Sequence, residues 1–220
     1  MYRTIIKSLV PLLLLLLAQT TQAAQWKEGV QYQEIPFPVT VETGKKIEVR
    51  EFFWYGCPHC FHMEPTVRNW LKNKPKNAEF VRSPAVLGPS WQLGATAFFT
   101  YQALGVVKRM HQATFDAIHV EQRIFSSLQD YADFAAEHGI NRDEFMKTTR
   151  SFGVQLKLKH EAELDREAGI HSVPTFVIDG KYRTDESLAG SKENLVKLIN
   201  YLVQKAQKER KQKKLEFLRI

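Results

Sequence analysis

The chain contains two cysteines, Cys57 and Cys60, inside the run Cys57-Pro58-His59-Cys60. An intramolecular disulfide must join these near neighbours. Closing so short a loop removes little entropy from the unfolded chain, so the bridge would be a weak staple for 220 residues. The pair is better read as a reagent than as a brace. The competing chemistry is metal binding, with His59 and His62 beside the two thiols. A structural zinc site usually draws a second ligand pair from elsewhere, and no further cysteine exists to supply it. His111, His119, His138, His160 and His171 are scattered, and each reads as a surface or capping histidine.

Reactivity requires a thiolate, and an ordinary cysteine is mostly thiol at neutral pH. Pro58 suits the first position of a helix, where a missing N–H costs nothing. Cys57 then faces unpartnered N–H groups at the positive end of the helix dipole. His59, between the cysteines, adds a proton or a hydrogen bond. Stabilising the Cys57 thiolate stabilises the dithiol form, so the disulfide becomes a stronger oxidant. Cys60, one turn further in, is expected to be more buried and closer to an ordinary thiol.

Two further residues invite a chemical reading. Strand alternation sets Ile47, Val49, Glu51 and Phe53 on one face, and a carboxylate among them is costly unless paired or used. Glu51 is either a buried proton relay for Cys60 or a solvated neighbour of Arg50. Pro174, in Val173-Pro174-Thr175, leads straight into a strand pattern, where proline is unusual. It either ends a loop in the trans form or makes a cis bond that presents backbone groups beside the cysteines.

The elements that must position these residues follow from pattern. Ile47–Tyr55 is rich in β-branched and aromatic residues and reads as a central strand. A helix follows from Cys57-Pro58 to about Lys72, with Pro65 expected to kink it. Ala78–Val86 reads as a second strand. Helices are predicted over Ser90–Leu104, Lys108–Val120, Ser127–His138, Asn141–Thr149 and Gln155–Ala168, with capping-box spacing at Asn141 and Glu144. Thr175–Ile178, Asp179-Gly180 and Lys181–Arg183 read as a hairpin with a two-residue turn. Ser191 caps a last helix to about Lys208. The order describes a small α/β sheet with a helical block inserted in its middle.

The N-terminus has Arg3 and Lys7, an apolar run from Leu9 to Ala18, and small residues Thr21 and Ala23. This is the layout of a secretory signal peptide, with cleavage expected after Ala23. The apolar run is shorter than a membrane span requires. The remainder is long enough for one domain carrying an insertion. The formal charge of +7 is misleading, because the leader and the segment from Lys205 to Ile220 hold the excess. That last segment carries Lys205, Lys208, Arg210, Lys211, Lys213, Lys214 and Arg219 against Glu209 and Glu216. The body between is near neutral, which argues against nucleic acid as a partner. The basic segment reads as a solvated, frayed helix end, with anionic lipid or an acidic partner as the alternative.

Glu51-Phe52-Phe53-Trp54-Tyr55-Gly56 leading into Cys57-Pro58-His59-Cys60, with Val173-Pro174-Thr175 far downstream, resembles the DsbA family of exported thiol:disulfide oxidoreductases. The resemblance covers the chain from Ala24 to about Gln204. It implies a thioredoxin fold with an inserted helical domain. The division would be a signal peptide over 1–23, a thioredoxin-like domain over 24–87 and 158–204, the insertion over 88–157, and a basic tail over 205–220. It implies Cys57 as the attacked sulfur, Cys60 as the resolving one, and His59 as the residue that stabilises the thiolate. Pro58 belongs to the same motif. Pro174 is similar to the family's cis-proline, Val173 to its substrate-facing neighbour and Glu51 to its buried carboxylate. Arg82 falls where relatives often carry a lysine near that carboxylate. The implied activity is a periplasmic dithiol oxidase acting on unfolded exported proteins with free thiols. A DsbB-type quinone-linked oxidase of the inner membrane would regenerate it. No cofactor or metal is expected, and a monomer is. The alternatives are a disulfide isomerase or reductase using the same cysteines, or a non-enzymatic metal-binding or chaperone protein. Trp54 and Phe61 are candidates for a peptide-binding surface, although Phe61 also suits the core.

Overall fold

The computed structural model describes residues 26–219, so the leader and the cleavage expected after Ala23 lie outside the described residues. Strand β1 spans Gln33–Glu34, β2 Ile47–Phe53, β3 Ala78–Pro84, β4 Thr175–Ile178 and β5 Tyr182–Thr184. They form one sheet in the order β1-β5-β4-β2-β3. Only the β2–β3 pair is parallel, and it is joined by helix α1 over Pro58–Asn73. The other neighbours are antiparallel. Between β3 and β4 the chain leaves the sheet to build α2 (Pro89–Ala103), α3 (Val107–His119), α4 (Leu128–Glu137), α5 (Arg142–Thr149) and α6 (Phe152–Glu167). It returns through β4 and β5 to a short α7 (Glu186–Ala189) and a long α8 (Lys192–Phe217). This is the interrupted α/β sheet that the sequence predicts.

β2 is central and buried along its whole length, as a strand covered on both faces must be. On one face Ile47 and Val49 pack with Phe176, Ile178 and the apolar side of α8, including Leu198, Leu202 and Val203. On the other face Phe52 packs with Val177, Leu164 and Ile170. The helical block has its own core around Tyr101, Met110, Tyr131, Phe134 and Phe145. A fourth cluster joins block and sheet, and it contains Phe53, Tyr55, Phe98, Phe115, Val154 and both cysteines. Helix α6 serves both units, with Val154 and Leu158 in the joint and Leu164 under the sheet. It begins three residues before the predicted Gln155, because Ser151 accepts the Val154 N–H and caps it.

Local chemistry refines several boundaries. Asn141 accepts the Glu144 N–H, while the full reciprocal capping box is built at Ser127 and Asp130. The hairpin turn has Asp179 and Gly180 at φ of 56° and 67°, closed by Lys181 N–H donating to the Ile178 carbonyl. Ile178 pairs with Tyr182, so Lys181 stands outside the ladder and its carbonyl accepts from Ile35 instead. Gly180 is required there, since a Cβ would strike the Val39 carbonyl.

The C-terminal segment differs from the frayed end expected. Helix α8 continues to Phe217, and its first basic residues are tied to the body. Glu209 accepts from Lys181, Lys205 and the Tyr182 hydroxyl, and Arg210 clasps Asp179 and the Gly44 carbonyl. Among the described residues no helix is long and apolar enough to cross a membrane.

Candidate active site around Cys57 and Cys60

β2 ends at Phe53, and Cys57 is the N-cap of α1, with Pro58 at its first helical position. Both cysteines are free thiols in this structure. Cys57 is 8% exposed and Cys60 1%, so only the first sulfur can meet another molecule. The Cys57 thiol is lowered to about 6. The largest cause is a hydrogen bond from the Cys60 side chain, followed against burial by the backbone N–H groups of Cys60 and His59 and by the charge of His59. The helix start therefore activates the sulfur as expected, while exposed His59 acts behind the nearer donors. Cys60 moves the opposite way: burial, and then its bond to Cys57, raise it far above an ordinary thiol.

Downstream residues come to the same sulfur. The Val173–Pro174 bond is cis. The Cys57 thiol donates to the Val173 carbonyl at 3.4 Å, across 116 positions of chain. An open cleft of about 390 Å³ lies beside it, lined by His59, Val173, Pro174, Asp185, Glu186 and Ser187. On another side Trp54 stacks on Trp91 with ring centres 4.4 Å apart, and both are half-buried. Phe61 is half-buried rather than fully core, stacked on His119, whose Nε2 meets the Tyr55 carbonyl.

Glu51 is 1% exposed, beneath the cysteines on the face that alternation assigns to it. Its charged partner is Arg82 rather than Arg50. Arg82 Nη1 donates to Glu51 Oε2 at 3.0 Å, and Nη2 donates to Glu64 Oε2 at 2.8 Å. Arg50 is committed elsewhere, to Glu48, Ser83 and Glu42. Among the described residues Glu51 Oε1 has no hydrogen-bond partner. Burial pushes the Glu51 carboxyl up, against the charge of Arg82 and aided by that of Glu64. The carboxyl also raises Cys60 electrostatically, so the two groups influence each other.

The network extends into the helical block through Glu64, which belongs to no sequence motif, and His111, which reads from sequence as a surface or capping histidine. Glu64 Oε1 meets His111 Nε2 at 3.0 Å, and His111 Nδ1 meets the Tyr55 hydroxyl at 3.1 Å. His111 is 6% exposed, so it is neither a surface nor a capping residue. Burial lowers its pKa, with Arg82 adding to the effect and Glu64 opposing it. Neutral imidazole then donates from Nε2 to Glu64 and accepts the Tyr55 proton at Nδ1. Against the burial that would raise it, Glu64 is held low by His111 and Arg82. A pattern for both residues was present: Glu64 sits on the stripe Cys60, Met63, Val67, and His111 on the stripe Met110, Thr114, Phe115. A polar residue on a buried helical face marks a partner. His62 is exposed, and among the described residues no three His, Cys, Asp or Glu side chains are grouped as metal ligands.

A low-pKa thiol at the margin of the surface, a fully buried high-pKa thiol one turn away and a buried carboxyl that acts on it form a set suited to thiol–disulfide exchange. Comparison with known proteins agrees. A family model described as a DSBA-like thioredoxin domain matches residues 48–199. The thiol:disulfide interchange protein DsbA of Pseudomonas aeruginosa is 38% identical over 190 residues, covering 86% of this chain and 90% of the relative. A crystal structure of Pseudomonas aeruginosa DsbA superposes with a TM-score of 0.81 at 38% identity, covering 86% of this chain and 98% of that one. Proteus mirabilis DsbA, solved with a non-covalently bound peptide, gives 0.71 at 26% identity, covering 82% and 100%. This chain belongs to the DsbA-like thioredoxin family.

Proposed function

We propose that the protein is a periplasmic dithiol oxidase, exported by its leader and cut after Ala23. Its Cys57–Cys60 disulfide is the reagent. A thiolate of an unfolded exported protein attacks Cys57 Sγ, forming the mixed disulfide and expelling Cys60 as the leaving group. A second substrate thiolate then attacks the substrate sulfur of that mixed disulfide. The substrate leaves with a new disulfide, Cys57 leaves as thiolate, and the dicysteine has taken up two electrons. A DsbB-type quinone-linked membrane partner restores the disulfide. The observation that carries this reading is the position of Cys57 at the start of α1, where the Cys60 side chain and two backbone N–H groups bring its thiol down to about 6.

The site residues divide the work. Pro58 opens the helix without needing an N–H partner, and His59 adds positive charge at its exposed mouth. The Val173 carbonyl and Pro174 flank the sulfur where an extended peptide would lie, along the cleft that His59 and Ser187 line. Glu51 supplies the proton that buried Cys60 needs when it is expelled, and takes it back on reoxidation. Its raised pKa suits both directions near neutral pH. Residues 24–87 and 158–204 form the thioredoxin-like part and 88–157 the insertion, the latter walling the site through Trp91, Phe115 and His119.

Equilibration of the purified protein with glutathione tests the assignment. An oxidase gives a potential well above that of thioredoxin, and the Cys57 thiolate persists to about pH 6. A thioredoxin-like potential would sink the oxidase reading and favour a reductase.

A further inference from the structure

We propose that the end of α8 is a docking element for an anionic phospholipid bilayer, at the pole of the molecule away from the cysteines. The helix is held by the body only as far as Arg210, through the Asp179 and Gly44 contacts. Beyond it, residues 211–219 are all exposed, and the helix from 211 to Phe217 projects about 10 Å. Lys208, Lys211, Leu215 and Leu218 recur at spacings of three, four and three residues, which sets them along one side of the helix. That side is turned away from the row Leu195, Leu198, Leu202 and Ala206, which faces the core. Leu215, Phe217 and Leu218 are 58%, 79% and 69% exposed, an apolar tip at the end of an otherwise polar rod.

Charge complementarity selects the occupant. With the leader removed, the C-terminal segment holds the chain's positive excess, since the body is near neutral. Among the described residues none of Lys208, Lys211, Lys213 and Lys214 is paired with a carboxylate, whereas Lys205 and Arg210 are. Unpaired lysines around exposed leucines suit a bilayer surface. The apolar tips enter the acyl boundary while the long lysine stems reach the phosphates. An acidic protein groove would satisfy the lysines but gives no reason for three apolar side chains at the tip.

The geometry leaves the chemistry free. Arg210 grips Asp179, which bonds to Glu48 near the start of β2, while Cys57 follows the end of that strand. The length of β2 puts roughly 20 Å between the two ends. Bound through α8, the protein keeps its reactive sulfur directed away from its own lipid contact.

Co-sedimentation with vesicles tests this, using protein without residues 1–23. Phosphatidylglycerol-containing vesicles should retain it, and pure phosphatidylcholine vesicles should not. A charge variant, K211Q/K213Q/K214Q, should weaken retention by about 100-fold at low salt. An apolar variant, L215S/F217S/L218S, should weaken it by about tenfold or more. Oxidation of a soluble dithiol peptide should be unchanged in both. Equal retention on the two vesicle types overturns the proposal. So does a loss that follows the lysines alone, or equally tight binding to soluble polyglutamate, either of which identifies an acidic polypeptide as the partner.

Discussion

Removing the Cys60 sulfur should raise the pKa of Cys57 more than removing the His59 ring does. The Cys57 thiol falls from its ordinary value of 9.0 to about 6. That difference of three is worth about 4 kcal/mol. At pH 7 only about 1.4 kcal/mol of it is expressed, since the remainder accrues as pH rises from 7 to the ordinary thiol value. For a two-electron couple this adds roughly 30 mV to the oxidising power of the disulfide. The Cys60 thiol is the first contributor, and a hydrogen bond to a charged acceptor is worth roughly 1.5–3 kcal/mol. In Cys60→Ala, which keeps the backbone N–H donors, Cys57 should therefore titrate about one to two pH units higher. His59 acts as an exposed charge, and such interactions are worth about 0.2–1 kcal/mol. His59→Ala should move the midpoint by less than about one pH unit.

The assay is thiolate absorbance in the ultraviolet against pH, checked by the rate of alkylation. Wild-type protein gives a clean signal, because Cys60 is raised out of the accessible range. Cys60→Ala has no second thiol at all. The sign is fixed by linkage: a depressed thiol stabilises the folded dithiol form at high pH, and this is lost as pH falls through about 6. If Cys60→Ala still titrates at about 6 while His59→Ala shifts by more than one pH unit, the ordering of causes is wrong. The imidazole would then dominate, and the hydrogen bond between the sulfurs would be incidental.

Two other perturbations test the buried charges. Arg82→Met strips the shared cation from Glu51 and Glu64 and should cost about 3–5 kcal/mol in urea unfolding at pH 7. The loss should shrink toward pH 5 as Glu64, held low by Arg82 in the wild type, takes up a proton, since raised Glu51 already holds one at pH 7; a constant loss across that range would refute the role of Glu64. Glu161 on α6 is buried, its Oε1 without a partner among the described residues, and burial, then the charge of Asp165, raises it to about 8. A raised carboxyl favours the folded state below its ordinary value of 4.5, and that contribution is lost as pH rises through about 8. Glu161→Gln should therefore match wild type near pH 4 and be more stable by about 3 kcal/mol at pH 7, measured by the same unfolding curves.

Legibility followed the range of the interactions involved. The helix starts at Pro58 and Leu128, the Asp179-Gly180 turn and the cap at Ser191 depend on neighbours within a few residues, so their patterns are local. Burial of Glu51 was half legible, because alternation gave its face and not its partner. Arg50, adjacent in sequence, points to the opposite face of β2, whereas Arg82 arrives on the paired strand. For His111 the helical stripe marks a buried face, but nothing local names the partners that make a buried imidazole tolerable. Its partners Glu64 and Tyr55 stand 47 and 56 positions away. The end of α8 was set too early for a similar reason. Its lysines, glutamates and glutamines are good helix formers, and the anchor of Glu209 and Arg210 lies on the hairpin.

The cooperation between Glu51 and Arg82 follows from the asymmetry between the two sulfurs. A single helix start serves both, yet it treats them differently: Cys57 stands at the N-cap position beside the open N–H groups, and Cys60 lies in the first turn against the core. The disulfide is thereby polarised, with one end able to leave as an anion and the other needing a proton. On the proposed mechanism, attack at Cys57 expels Cys60 into an apolar interior, where a bare thiolate is costly. A carboxyl at ordinary pKa would be ionised at neutral pH and would repel that sulfur. Burial raises Glu51 enough to hold a proton, but burial without a cation would destabilise its ionised form so far that the proton could not be lost again. Arg82 limits that rise, and it is itself fixed by its bond to Glu64, which His111 of the helical block holds in turn. Arginine cannot give up its own proton here, as a lysine could, so proton transfer is left to Glu51 alone. Arg82→Lys should then add a second titrating group to the pH profile of Cys60 release; an unchanged profile would mean that the cation at this position only balances charge.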